Sequence, residues 1–262
     1  MTVALDQIAE AYDALAPGYD LFTSGHDHTA WAELVEGLAL RDGLSGRRLL
    51  DVGCGTGSGI APMLERGYQV TGIDISRRML AIARDKVGAD IPLHVGDMRA
   101  LEQLGEFDLV WSLCDAVNYL LTDEELVAAF EGFRRNLAAG GVVAFDVDTL
   151  ATFRALYSSL VVVPGEDRVV MFEGKCREPL ESGAEVEAWV DCLERRAPPW
   201  WERVRCVHRQ RHHPRAELER ALAAAGLACA GVWGTDGAGG LEQPLDELRH
   251  SKAVYIAHAE GR

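Results

Sequence analysis

The stretch Arg48-Leu49-Leu50-Asp51-Val52-Gly53-Cys54-Gly55-Thr56-Gly57-Ser58-Gly59 constrains this chain more than any other. An apolar run ends in an acid, glycines then fall on alternate positions, and an apolar segment from Ile60 to Leu64 follows. A short buried strand, a glycine turn and a helix start fit that order. Glycine lets the backbone take positive φ and lets a ligand come close to the main chain. The first turn of the next helix offers free N–H groups at the positive end of its dipole. Spacing then separates the ligands such turns hold. A dinucleotide fingerprint needs G-x-G-x-x-G, but counting from Gly53 the sixth position is Ser58, and from Gly55 it is Ile60. No G-x-x-x-x-G-K-[ST] occurs, so a P-loop is excluded. What remains is D-x-G-x-G-x-G, or else a loop that merely turns.

From this turn onward short apolar runs alternate with segments of helical period. Strands are expected at Leu49–Val52, Gln69–Asp74, Leu93–Val95, Phe107–Ser112 and Val142–Asp146. Helices are expected near Ser58–Glu65, Arg77–Lys86, Met98–Leu104 and Thr122–Leu137. The order argues an α/β fold with a doubly wound, mostly parallel sheet. Its ligands bind beyond the carboxyl ends of the strands, where Asp51, Asp74, Asp97 and Asp146 stand. Ahead of the glycine turn, apolar spacing predicts a helix over 2–16, stopped by Pro17-Gly18, and another over Thr29–Leu40. A helix at Thr149–Ser159 gives way to three alternating segments, Arg168–Cys176, Glu185–Glu194 and Trp201–His212. These read as antiparallel strands broken at Glu178–Gly183 and Arg196–Pro199. Helix Pro214–Ala225 and strands Ala228–Thr235 and Ala253–Ala259 resume the main pattern. The expected division is therefore a core of residues 1–160 and 214–262, with 161–213 as an antiparallel β cap.

Composition narrows the function. A net charge of −15 would repel a phosphate backbone, and only Arg203 to Arg215 forms a local basic patch. The cysteines stand apart, at 54, 114, 176, 192, 206 and 229, without a C-x-x-C pair. No His/Cys/Asp group has zinc-ligand spacing, so no metal is expected. The N-terminus has no apolar signal core, and no segment is a continuous apolar membrane span. Free thiols in a reducing cytoplasm are the simplest expectation.

The strand-end acids have their own chemistry. Asp74 ends the second strand, where a carboxylate can accept both ribose hydroxyls of an adenosine. Asp97, in Val95-Gly96-Asp97-Met98, can accept an adenine amine while Ile75 and Met98 sandwich the ring. Each acid alone also reads as a helix cap. In order behind the glycine turn, they resemble the class I S-adenosylmethionine (SAM) methyltransferases of the small-molecule, natural-product branch. Motif I is Asp51–Gly57, and Phe107–Trp111 resembles the fourth-strand motif. Leu137-Ala138-Ala139-Gly140-Gly141 resembles an L-x-P-G-G turn with Ala139 in place of proline. Tyr12-Asp13…Tyr19-Asp20 resembles the family's N-terminal helical cover, which implies Tyr19 near the methionine end of the cofactor. The resemblance implies a Rossmann-like sheet of order 3-2-1-4-5-7-6, and SAM held by Tyr19, Asp51, Gly53, Cys54, Gly55, Asp74, Ile75, Asp97, Met98 and Leu113.

The implied reaction is in-line methyl transfer to an N or O acceptor on a small molecule, such as a sugar amine. Candidate acceptor-side residues are Asp115 and Asn118, after the fourth strand, and His208. Asp115 also reads as a cap for the turn at Ala116–Leu120. In the third cap strand Val204, Cys206, His208, Gln210 and His212 share one face, with Arg203, Arg205, Arg209 and Arg211 on the other. The first face is expected to point inward, so that His208 serves as general base or as ordinary packing. His26 and His28 sit in a loop, as part of a lid or simply in solvent. The rival readings are an RNA or protein methyltransferase docking through Arg203–Arg215, and a silent SAM-binding protein. No nucleic-acid or membrane partner is expected, and a homodimer would form through the cap.

Overall fold

The computed structural model describes residues 3–176, 179–235 and 239–260. Residue 2 of the first expected helix and Glu178 of the expected cap turn fall outside them. The main sheet begins with β1 (Arg48–Val52), β2 (Gln69–Asp74), β3 (Leu93–Val95), β4 (Phe107–Ser112) and β5 (Leu137–Asp148). Its central strands β1, β4 and most of β5 are buried, whereas β3 is a largely exposed edge. After a cap come β10 (Leu227–Thr235), β11 (Leu241–Glu242) and β12 (Lys252–Ala259). Their order is β11-β10-β12-β5-β4-β1-β2-β3. That is the expected seven-strand order with the two-residue β11 added at one edge. The strand β12 runs antiparallel to both β5 and β10.

Alternation along these strands feeds two separate cores. Leu50, Val110, Phe145 and Tyr255 point to one face, under Phe130 and Phe133 of α5 (Asp123–Arg135) and Leu222 of α7 (Arg215–Ala224). Leu49, Leu109, Ala144 and Val254 point to the other, under Trp31, Val35 and Leu38 of α2 (His28–Arg41) and Met63 of α3 (Ile60–Glu65). Leu80 of α4 (Arg77–Val87) joins this second layer. The helix expected over Met98–Leu104 is a single 3₁₀ turn, Met98–Ala100. The Asp97 side chain caps its start by accepting the Arg99 N–H, and it stops where Leu101 turns back to extended geometry.

The cap is a four-stranded antiparallel sheet of order β6-β7-β8-β9. Its strands are Leu160–Pro164, Arg168–Gly174, Glu185–Arg195 and Trp201–Arg211, so β6 adds one strand to the three expected. A third core binds the cap to the rest. Val170, Phe172, Val190 and Cys206 of the sheet meet Phe153 of α6 (Leu150–Leu156), and Ala11 and Leu15 of α1 (Val3–Phe22). Here the sequence reading needs correction, because α1 runs straight through Pro17-Gly18. Proline forfeits one backbone hydrogen bond inside a helix, but Leu15, Ala16, Leu21 and Phe22 around it gain burial against the cap. Gly18 is the point of closest approach: a Cβ there would lie 2.8 Å from Val170 and 2.9 Å from Cys192. The expected inward face of β9 is buried at Cys206, His208 and Gln210, but Val204, on this edge strand, is 42% exposed.

Replacing Gly18 by leucine should force α1 away from β7 and β8. Overpacking of this kind costs about 1–3 kcal/mol, so thermal unfolding should shift down. An unchanged melting temperature would show that the helix does not sit against the cap at this residue.

Candidate active site

Three connected cavities lie beyond the carboxyl ends of β1, β2 and β4. The first is lined by Tyr19, Gly53, Gly55, Asp74, Ile75, Asp97, Met98 and Leu113, all expected site residues, with Tyr12 and Arg99. Asp51 and Cys54 line the adjoining second cavity, together with His28 and Trp31. A third chamber of about 350 Å³, roofed by the cap, holds Asp115 and His208, with Asp148, Gln210 and Lys252. Tyr19 and Cys114 line all three cavities, and so mark their junction.

The glycine turn makes the first cavity possible. Gly53 and Gly55 have φ of +80° and +53°, which side chains rarely adopt, and a Cβ on Gly55 would project to 3.8 Å from the Tyr19 ring. The Gly55 N–H donates to Asp74 Oδ2 at 2.8 Å, and the Ser76 N–H donates to Oδ1 at 2.8 Å. Helix α4 is capped instead by Ser76, whose hydroxyl accepts the Met79 N–H, so the cap reading of Asp74 is not what the chain does. Burial lifts the Asp74 carboxyl to about 6, against the pull of its two N–H donors. Burial likewise lifts Asp51 to about 7, with Asp74 adding to the rise. Two buried acids without a cation suit a ligand bringing a positive charge and hydroxyl donors. Asp97 accepts the Arg99 guanidinium at 2.8 Å, and Arg99 also reaches Glu125 at 2.9 Å.

Helix α1 closes this cavity through a repeat that the sequence reading left to resemblance. Asp13 accepts the Arg78 N–H at 3.0 Å and the Ser76 hydroxyl at 2.5 Å. One heptad on, Asp20 accepts the Thr56 hydroxyl at 2.5 Å and Lys86 at 3.1 Å. The residues just before, Tyr12 and Tyr19, turn their rings into the cavity, with centroids 6.3 Å apart. The acids fasten the helix and the tyrosines face the ligand space.

The chamber floor hangs on Asp146, which is wholly buried. Its oxygens accept the Trp31 indole at 2.8 Å, the Cys114 N–H at 2.8 Å, the Asp115 N–H at 2.7 Å and Lys252 at 3.2 Å. These bonds hold Cys114 and Asp115 in left-handed geometry, at φ of +59° and +57°. The register pairs Lys252 with Asp148 across β12 and β5. Lys252 Nζ therefore touches Asp148 at 2.9 Å and Asp115 at 3.0 Å as well. Burial raises the Asp148 carboxyl, and the neighbouring Asp115 and Asp146 add to it while Lys252 opposes. Asp115 does not cap the following turn; its carboxylate accepts Gln210 Nε2 at 2.9 Å, and Gln210 in turn accepts the Tyr157 hydroxyl at 2.7 Å.

His208 is buried, with Nδ1 2.8 Å from the Tyr119 hydroxyl and Nε2 3.3 Å from Cys206 Sγ. Burial alone pushes it down to about 4, so it is a neutral imidazole with both nitrogens engaged. Asn118 does not face the chamber. Its amide donates to the Arg211 carbonyl at 2.9 Å and accepts the Asp148 N–H at 2.9 Å, tying the cap to β5. His26 and His28 come to the rim of the chamber, beside Cys114. Sequence reasoning missed Tyr119, Asp148 and Lys252 as site residues, and reached Tyr12 only through the resemblance and Gln210 only as a member of the inward face of β9. Asp148 stood two residues after Asp146 at the end of β5, and that period of two was the one available signal.

Comparisons with known proteins identify similar methyltransferases. A family model described as "Methyltransferase domain" matches residues 49–141. A Geobacillus sp. protein named as a methyltransferase is 30% identical over 204 residues, covering 76% of this chain and 82% of that protein. The dTDP-3-amino-3,4,6-trideoxy-alpha-D-glucopyranose N,N-dimethyltransferase of Streptomyces venezuelae is 36% identical over 122 residues, 47% of this chain and 51% of the relative. The chain thus spans about half the length of that sugar-modifying relative. Among solved structures, the sugar N-methyltransferase KedS8 of Streptoalloteichus sp. superposes with a TM-score of 0.72 at 28% identity, over 91% of this chain and 92% of that one.

Asp146→Ala should be among the most damaging single substitutions in the chain. It strands the Trp31 indole and two backbone N–H groups and removes one of the three carboxylates around Lys252. Breaking such a buried network costs about 3–5 kcal/mol. Denaturant unfolding that moves by less than about 1 kcal/mol would contradict this account of the floor.

Proposed function

The chain belongs to the class I SAM-dependent methyltransferases of the natural-product type, and from that premise we propose that it methylates an amino group on a small sugar-like molecule. The observation that carries the proposal is the chamber's charge: Asp115, Asp146 and Asp148 face the single ammonium of Lys252. An amine that arrives as an ammonium is drawn into such a site, whereas a hydroxyl acceptor gains less. The names of the sugar N-methylating relatives support the same substrate class. Neither Arg203 nor Arg205 is free to recruit phosphate, since both pair with Asp191, at 2.7 and 2.8 Å. That favours the small molecule over an RNA acceptor.

The first two cavities fit the cofactor. Asp74 would take the ribose hydroxyls, Ile75 and Met98 would flank the adenine beside Asp97, and the buried Asp51 would meet the ammonium of the methionine moiety. Bound there, S-adenosylmethionine supplies an electrophilic methyl on a sulfonium that departs as a neutral thioether. The chain's own task is alignment and proton management. Tyr12, Tyr19 and Tyr119 line the boundary between cofactor cavity and acceptor chamber. Burial raises the phenols of Tyr12 and Tyr19 well above their ordinary range, so they stay neutral and present π faces to a cationic centre. Asp115 holds the acceptor nitrogen, and Asp148, its carboxyl raised by burial, takes the proton the nitrogen gives up. His208, low in basicity and bonded at both nitrogens, positions Tyr119.

The direct test is transfer of one or two methyl groups from SAM to amino sugars, set against the matching hydroxy sugars, with mass detection. Turnover of the hydroxy series in preference to the amines would overturn the proposal. Asp115→Asn should lower kcat/KM for the amine by about 10–100-fold, the value of a charged hydrogen bond of about 1.5–3 kcal/mol, with SAM affinity unchanged. The acid limb of the rate profile should lie above the ordinary carboxylate range, because the proton acceptor is a raised carboxyl. Asp148→Asn should abolish that limb and His208→Ala should keep it.

Cofactor affinity offers a separate check. Asp51 must be ionised to meet an ammonium, so SAM binding should weaken as pH falls below about 7 in the wild type, and Asp51→Asn should bind weakly at every pH. Asp74→Ala should lose about 1.5–3 kcal/mol of binding. Calorimetric titration giving wild-type constants for a folded Asp74→Ala protein would remove the ribose assignment.

A further inference from the structure

His26, His28 and Cys114 converge although the sequence separates the cysteine from the histidines by 86 and 88 positions. One donor atom from each lies within 4.8 Å of the other two. Cys114 Sγ is 3.7 Å from His26 Nε2 and 4.0 Å from His28 Nδ1, and the two rings meet edge-on with centroids 4.7 Å apart. We propose that these three side chains form a binding site for a zinc-class divalent ion, with its open coordination position facing the acceptor chamber.

The distances suit that ion. With metal–nitrogen bonds of about 2.0–2.1 Å and metal–sulfur bonds of about 2.3 Å in tetrahedral geometry, sulfur and nitrogen ligands sit about 3.6 Å apart. The observed gaps close by small side-chain rotations. Imidazole and thiolate donors select zinc and its neighbours over magnesium or calcium, which prefer oxygen. A magnesium site is excluded on these donors.

Each ligand is held from behind. The Thr23 hydroxyl donates to the Tyr19 carbonyl at 3.0 Å and offers its oxygen to His28 Nε2 at 3.5 Å. A proton on Nε2 leaves Nδ1 bare and directed at Cys114, the outer-shell arrangement that fixes a ligating imidazole. His28 opens α2, whose N-cap Asp27 accepts the Ala30 N–H at 2.9 Å, so the ring stands on a rigid element. His26 packs edge-on against Trp31, at 6.0 Å between centroids. Cys114 is aimed by its left-handed backbone, which Asp146 enforces. Such strain persists only where the surroundings over-determine it, and it concentrates at ligand-binding positions.

The electrostatic setting points the same way. Carboxylates Asp115 and Asp146 lie beside the cluster, paired with Lys252. Binding is balanced by one proton: the ion takes the sulfur lone pair, the S–H bond breaks, and the proton leaves to solvent. All three ligands line the acceptor chamber, so the fourth position would hold a water or an acceptor heteroatom. An ion there would also clasp the 23–27 loop onto the chamber floor.

The test uses the purified full chain and the metal alone. Calorimetry with Zn²⁺ should give one site per chain and release of about one proton per ion at neutral pH. Co²⁺ in its place should show thiolate-to-cobalt charge-transfer absorption. Cys114→Ser should lose that absorption and the proton release, and His26→Ala should weaken binding at least tenfold, whereas Cys229→Ser should bind as wild type does. Circular dichroism identifies any variant that has unfolded, and His28→Gln replaces His26→Ala in that event. Absence of stoichiometric binding in the wild type, or binding unaffected by loss of Cys114 and of a histidine, overturns the proposal. Neither result bears on the amine reading, which is measured by methyl transfer.

Discussion

The buried carboxylate of Asp146 is the interaction on which the active end of this molecule depends. A carboxylate removed from water is costly unless donors surround it, and here four of them come from three separate parts of the chain. Trp31 brings α2, Cys114 and Asp115 bring the turn after β4, and Lys252 brings the antiparallel β12. Satisfying one acid therefore fixes the relative positions of a helix, a turn and a strand. The same bonds force Cys114 and Asp115 into left-handed geometry and so orient the two side chains that face the chamber. Strand ends in this fold converge on ligand space by topology alone. Asp146 converts that rough convergence into fixed coordinates.

A second division of labour runs through α1. Neighbouring residues on a helix diverge by about 100°, so a Tyr-Asp pair presents one side chain inward and the other sideways. Repeating the pair after seven residues places both tyrosines over the cavity and both acids on the rim, against α4 and against the glycine loop. The helix also carries the cap, through Ala11, Leu15 and Gly18. It thus couples the cofactor cavity beneath it to the acceptor chamber beside it, and displacement of α1 would disturb both at once.

The core of the fold was legible in the sequence because its signals are local. The glycine turn, the strand-end acids and the apolar period along Leu49–Val52 or Phe107–Ser112 each occupy a few consecutive residues. The gaps arose where distant residues decide the outcome. Pro17-Gly18 reads as a helix stop, yet tertiary contact with Val170 and Cys192 carries the helix through. Leu160–Pro164 is an apolar run without alternation, directly after α6, and becomes a strand by pairing on one side with β7. The acceptor chamber was read only in part. Asp115 was found from its place after β4, but Lys252 and Gln210 gain their meaning from cross-strand register and from the cap. The convergence of His26, His28 and Cys114 was not legible for the same reason, since spacing rules see only sequence neighbours. The inward face of β9 was readable from alternation, whereas the engagement of both His208 nitrogens was not.

The raised carboxyls of the first two cavities fit the proposed cofactor better than they serve stability. An acid whose folded pKa lies above its unfolded value favours the folded state only while protonated, and that contribution fades as pH rises through the folded value. For Asp74 and Asp51 those values are about 6 and about 7, so at neutral pH Asp74 is mostly ionised, Asp51 about half so, and most of that contribution is gone. A ligand that brings hydroxyl groups to one and an ammonium to the other removes the penalty, and folding and binding are thereby linked. Asp146 shows the contrast: no ligand is needed, because the chain itself supplies the donors. Asp74 has two backbone N–H donors and no cation, whereas Asp146 has two backbone N–H groups, an indole and an ammonium. That difference in donors separates an acid that builds the floor from one suited to a ligand.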